Sequence, residues 1–139
     1  MKSAKKSNVH ILLIERGEKI IEKLLSYCKK EKIYAGFFTG IGAVDEAELA
    51  HYIVDNKKYS SKVFKEPMEI CNMTGNVSLM NNEPYVHAHI TLGKENFTLV
   101  GGHLKEATVH AVCEVYLVEV SKKVERKHQE SLGLNVWSM

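Results

Sequence analysis

The feature that most restricts the fold is a change in the spacing of apolar residues. In the segment opened by Gly17, Ile20, Ile21, Leu24, Leu25 and Cys28 recur at intervals of three and four, the period of one helix face. Glu18 and Glu22 stand early in this segment and Lys29, Lys30 and Lys32 late, which suits the helix macrodipole. From Glu46 onward the period is two: Ala47, Leu49, His51 and Ile53 share one face of an extended segment. One helix is therefore expected, and strands have to supply the rest. Val9 to Glu15, almost wholly apolar, reads as a first strand covered on both faces, and Ile33 to Thr39 as a second. These two strands and the helix form a β-α-β crossover if they run parallel.

Glu46 to Val54 and Tyr59 to Lys65 read as a hairpin turning at Asp55 to Lys58. Pro67 is expected to break the chain before Met68 to Leu79, within which Gly75 is expected to allow a bulge or bend. Tyr85 to Leu92, Phe97 to Val100 and Thr108 to Val120 complete the strands. The fold class that follows is α+β (α/β), a single domain with a central mixed, mostly antiparallel sheet and one main helix after the first strand. Its divisions are a flexible Lys-rich arm over 1–8, a body over 9–120, and a tail over 121–139, helical or irregular, that docks on the body or on a neighbouring subunit.

Charge and cysteine usage narrow the function classes. The net charge is +2 over 139 residues, but Lys2, Lys5 and Lys6 account for more than all of it, and only two arginines, Arg16 and Arg126, are present. A dedicated reader of DNA grooves carries a broader basic excess and arginines for base edges. No apolar stretch reaches the ~20 residues of a bilayer span, and the N-terminus has no cleavage-site pattern, so no membrane role is expected and a cytoplasmic location is. Cys28, Cys71 and Cys113, an odd number at wide spacing, read as small core hydrophobes in a reducing compartment. Gly40-Ile41-Gly42 reads as a glycine turn that does not continue into a dinucleotide fingerprint, and neither a phosphate-binding loop nor a Gly-x-Ser-x-Gly elbow is present.

The residues that can carry chemistry are histidines. His87 and His89 lie two apart on one strand, so both imidazoles project from one face, with Cβ atoms roughly 7 Å apart. His103 follows Gly101-Gly102, and a hairpin turning at Gly93 to Asn96 brings it back toward the pair. Three neutral imidazoles with a fourth position open suit Zn²⁺ or another divalent transition metal. For the pair alone, a solvated face or a hydrogen-bonded pair is the alternative. His10, His51, His110 and His128 read as surface or buried structural histidines. Glu114 and Glu69 are charges within apolar runs; each is a candidate base for a metal-bound water, or a solvent-facing residue on a one-sided sheet.

Six segments together resemble a known family: GIGAV over Gly40 to Val44, AELAHY over Ala47 to Tyr52, MEICNMTGNVS over Met68 to Ser78, PYVHAH over Pro84 to His89, VGGHL over Val100 to Leu104, and AVCEV over Ala111 to Val115. The chain resembles the plants-and-prokaryotes-conserved (PPC) domain family over almost its whole length. The resemblance implies a homotrimer and, in prokaryotic members, a metal held by His87, His89 and His103. The family also carries a provisional DNA-binding label, which in plant members rests on an Arg-Gly-Arg type AT-hook that this chain lacks. The expected function is a metal-binding module, regulatory or ligand-binding, with a small anion at the open metal position. The alternatives are a metal-dependent enzyme that activates water on a small substrate, and a protein that associates with DNA without sequence preference through its N-terminal lysines.

Overall fold

The helix forms where the spacing requires it. Helix α1 (Ile20–Glu31) buries Ile20, Leu24, Tyr27 and Cys28. Lys19 at its N-cap supplies no side-chain bond; the amides of Ile21 and Glu22 donate instead to the Glu106 carboxylate from a distant strand. The computed structural model describes residues 1–138. Within them the strands are β1 (Lys2–Lys6), β2 (Val9–Glu15), β3 (Gly36–Ile53), β4 (Lys58–Met80), β5 (Glu83–Gly93), β6 (Leu99–Glu119), β7 (Glu125–Gln129) and β8 (Leu134–Ser138).

The α+β expectation is overturned: 70% of the chain is strand and 11% helical, and among the described residues α1 and a single 3-10 turn at Val54–Asn56 accompany an eight-stranded sheet. The sheet order is β1-β2-β6-β3-β4-β7-β8, and β5 bridges β4 and β6. Strands β3, β4, β5 and β6 thereby close a cycle, each antiparallel to the next. β2 and β3 are parallel but not adjacent, because both pair antiparallel with β6, which lies between them.

The share of strand is high because residues that usually interrupt strands are absorbed as bulges. Pro67 does not break the chain. It sits in β4 where the ladder to β3 slips between Val44–Met68 and Glu46–Lys65, so its missing N–H costs no ladder bond. The Gly40–Gly42 segment is likewise no turn, and β3 runs through it with a register shift. Gly75 marks no bulge: it pairs regularly with Phe38 and Ala88, and an added Cβ there would run into the Phe38 ring and the His87 carbonyl. The bulge in β4 against β5 lies instead between Ile70 and Asn72.

The termini also differ from expectation. The expected flexible arm over 1–8 is edge strand β1, registered on β2 from Lys2–Leu13 to Lys6–Val9 and tied down by the Met1 ammonium on Glu15 and Glu18. The tail is neither helical nor irregular: β7 and β8 form a hairpin joined to β4 by a parallel bridge at Leu79–Glu125. Of the cysteines, Cys28 and Cys113 are buried but Cys71 is exposed.

Alternation decides where the core sits. His10, Leu12 and Ile14 of β2 and Cys113, Val115 and Leu117 of β6 point toward the helix and are buried. The opposite face is left open, so β2 is not covered on both sides. Ile11 pairs with Tyr116, Tyr116 with Thr39, and Phe37 and Ile41 flank Thr39. Phe37, Ile41 and Tyr116 are each more than half exposed, at 56%, 57% and 56%. They form a contiguous apolar surface on the sheet.

Candidate metal centre

His89 of β5 and His103 of β6 are direct register partners across the hairpin, and His87 lies two residues before His89 on the same face. The β6 backbone passes close to β3 at this point, where a Cβ on Gly102 would lie 2.8 Å from the Ala50 carbonyl oxygen. The ring centroids are 5.2 Å apart for His87–His89, 5.0 Å for His87–His103 and 5.6 Å for His89–His103. One ring nitrogen from each residue can be chosen so that all three lie within 4.8 Å of one another.

The donor set fits a divalent ion. His103 Nδ1 is buried and has no hydrogen-bond partner among the described residues. A buried ring nitrogen without a partner is costly, and in the tautomer that leaves its lone pair on Nδ1 a cation can relieve it. Burial, followed by the neighbouring charges of His103, Arg126 and His89, pushes the His87 imidazole down to about 4. Burial likewise lowers His103, helped by His89 and Lys105. Both rings are therefore neutral at physiological pH, the state in which imidazole binds metal.

The cluster lines a cavity of about 600 Å³ whose other walls are Tyr52 and Tyr59 at the ends of β3 and β4, Tyr85 of β5, and Arg126, Leu134, Asn135 and Val136 of the terminal hairpin. The Tyr59 ring stands 5.5 Å from that of His103 and 4.8 Å from that of Tyr52. Among the described residues no aspartate or glutamate lines it. Glu114 is exposed well along β6, paired with Leu13 and Ile41 beside the open apolar face. Glu69 is exposed on β4 and lines a different cavity with Cys71 and His110. Neither carboxylate lines the histidine cavity within one chain.

The remaining histidines divide. His10 is buried, with Nδ1 3.0 Å from the Tyr27 hydroxyl, and His110 contacts Asp45 at 3.1 Å. His51 and His128, read from sequence without a role, line the histidine cavity from exposed positions. The alternation of Ala47, Leu49, His51 and Ile53 could have signalled His51, but nothing local signals Arg126 or the three tyrosines.

The family profile described as the Plants and Prokaryotes Conserved (PCC) domain matches residues 1–121. Solved structures agree over nearly the whole chain. A protein of Bacteroides thetaiotaomicron described provisionally as DNA-binding is 35% identical, with TM-score 0.96 and coverage of 99% of this chain and 96% of that one. A metal-containing protein of Archaeoglobus fulgidus is 32% identical, with TM-score 0.89 and coverage of 99% and 96%. A plant- and prokaryote-conserved protein of Pyrococcus horikoshii is also 32% identical, with TM-score 0.89 and coverage of 99% and 94%. No match is found among curated proteins.

Proposed function

The chain belongs to the Plants and Prokaryotes Conserved domain family, and from that premise we propose that it is a metal-binding module in which His87, His89 and His103 hold one divalent transition ion. Zinc suits three neutral nitrogen donors, as do other divalent transition ions, and the ion would supply a Lewis-acid position for a small anionic ligand. The observation that carries this reading is the convergence of three imidazole nitrogens within 4.8 Å on facing strands. The metal-containing description of the Archaeoglobus relative supports it. The test is metal analysis of protein purified without a histidine tag. About one ion per chain is expected, and less than a third of an ion after His87→Ala with His103→Ala; a wild type equally empty after incubation with zinc would end the reading.

Assembly as a homotrimer is part of the same proposal. It is supported by the open apolar surface of Ile11, Phe37, Ile41 and Tyr116, which a second copy would bury. Three free thiols, one of them exposed, support a reducing compartment such as the cytoplasm. No helix among the described residues is long and apolar enough to cross a membrane.

DNA association is a second reading, favoured by the provisional description of the Bacteroides relative. The N-terminal lysines lend it little: Lys2 is paired with Glu15 at 2.8 Å and Lys5 with Glu119 at 3.6 Å. Binding through these lysines would be blind to sequence and would fall steeply with salt.

A further inference from the structure

The family profile ends at residue 121, yet the wall of the histidine cavity continues past it. The hairpin of β7 and β8 contributes Arg126, His128, Leu134, Asn135 and Val136 to the lining. Arg126 is the unusual member. It is buried at 9% exposure, and its guanidinium donates from Nε to Ser78 Oγ at 2.8 Å, from Nη1 to the Asn135 carbonyl at 2.7 Å and from Nη2 to Asn76 Oδ1 at 2.8 Å. All three acceptors are neutral. Among the described residues no carboxylate pairs with this cation, and none lines the cavity it faces.

A guanidinium has five N–H donors, so three bonds leave two unspent. The Tyr85 ring at 5.0 Å and the Trp137 ring at 5.9 Å hold its plane. Asn76, which accepts from Nη2, is the register partner of His87, so the guanidinium sits one cross-strand pair from the imidazoles. A buried cation without a counter-charge is costly, and an anion within the cavity would relieve it. Tyr52, Tyr59, Leu134 and Val136 make the remaining wall largely apolar.

We propose that Arg126 is the anion anchor of this cavity, and that the ligand bound between it and the three imidazoles is a small organic carboxylate with an apolar or aromatic body. The proposal rests on the reading of the histidine cluster as a metal-bearing ligand site, and its test separates the two. Arg126 is a specificity residue supplied by the hairpin, and the imidazoles hold the ion.

The experiment uses the full chain, zinc-loaded, with benzoate as probe and ¹⁵N detection of arginine Nε–H groups. Only Arg16 and Arg126 give such signals, and Arg16→Lys assigns them. Benzoate is expected to shift the Arg126 signal saturably and to leave Arg16 unmoved. Arg126→Gln should weaken benzoate binding by roughly tenfold to a hundredfold, the worth of a charge-assisted hydrogen bond, with zinc content unchanged. Arg126→Lys, which keeps the charge but loses the fork, should fall between.

An Arg126 signal that stays put while benzoate perturbs the visible bands of a cobalt-loaded sample would overturn the proposal, because the anion would then meet the ion alone. Inorganic phosphate shifting Arg126 more strongly than benzoate would overturn the choice of an organic carboxylate. If Arg126→Gln fails to fold, the wild-type spectra decide without it. If the chain holds no metal, the metal reading fails alone: the same titration on metal-free protein still decides the anchor, and a shift at Arg126 retains it.

Discussion

Two cavities of this protein each contain several residues of the types that hold metals, and only one of them gathers those residues. The first is lined by His87, His89 and His103, with no carboxylate among the described residues. The second is lined by Glu66, Glu69, Glu95, Cys71 and His110, a richer stock of ligand types. There, Glu66 is engaged by Lys94 at 2.7 Å and His110 by Asp45 at 3.1 Å. Among the described residues the histidine trio is the group whose ligand atoms converge. The difference lies in the ladder: His89 and His103 are register partners on a tight hairpin, whereas the ligand-type residues of the second cavity come from stretches of β4 and β6 interrupted by register shifts and from the turn after β5. Ligand-type residues in abundance do not make a site; a rigid register that aims them at one point does.

The largest effect should come from removing one ligand from each cavity. His89→Ala is expected to lower zinc affinity by more than about 100-fold, beyond the 10- to 100-fold typical of losing an outer hydrogen-bond partner. Glu69→Gln and Cys71→Ser should leave it unchanged, as read by competition with a chelator. A loss of affinity in Glu69→Gln would break the distinction.

Gly75→Ala comes next, since it disturbs the strand pair that holds His87 and leaves the second cavity alone. The new methyl must displace the Phe38 ring or the β5 backbone, at a cost of about 1–3 kcal/mol, measurable by urea denaturation of metal-free protein.

pH sharpens the contrast further. His87 has a folded value near 4 against an ordinary 6.5, so between those values the unfolded chain binds a proton that the folded chain refuses. Metal-free protein should therefore lose stability as pH falls from 6.5 toward 4, with the melting temperature dropping by several degrees, and His87→Ala should flatten that slope. The smallest effect is expected in the second cavity. Lys94→Ala removes an ion pair at a partly open site and a contact with the Phe64 ring, and should cost about 0.2–1 kcal/mol in the same denaturation assay.

The histidine cluster was legible because two arithmetic facts meet in it. Side chains alternate along a strand, so His87 and His89 share a face, and the midpoint between His89 and His103 falls at Asn96, within a loop of turn-forming residues. Strand continuity was not legible. Pro67 and the Gly40–Gly42 pair look like punctuation, and only the ladder reveals that bulges absorb them. The lysines of β1 read as a solvated arm because an edge strand uses the same residues to discourage further pairing. The run Val9 to Glu15 reads as covered on both faces, although its Ile11 side is open on the monomer. Arg126 was invisible for a different reason: a lone arginine in a charged tail acquires meaning only when a hairpin carries it onto Ser78 and Asn76.

The closing hairpin meets the rest of the molecule through few tethers: the Leu79–Glu125 bridge, the bonds of Arg126 to Ser78 and Asn76, the Tyr52 hydroxyl on the Leu132 carbonyl and Lys57 on the Glu130 carbonyl. The frame of β1 to β6 and its imidazoles could thus stay constant while the closing hairpin was rewritten. Descendants of one scaffold could then diverge in what they admit without relearning how to fold.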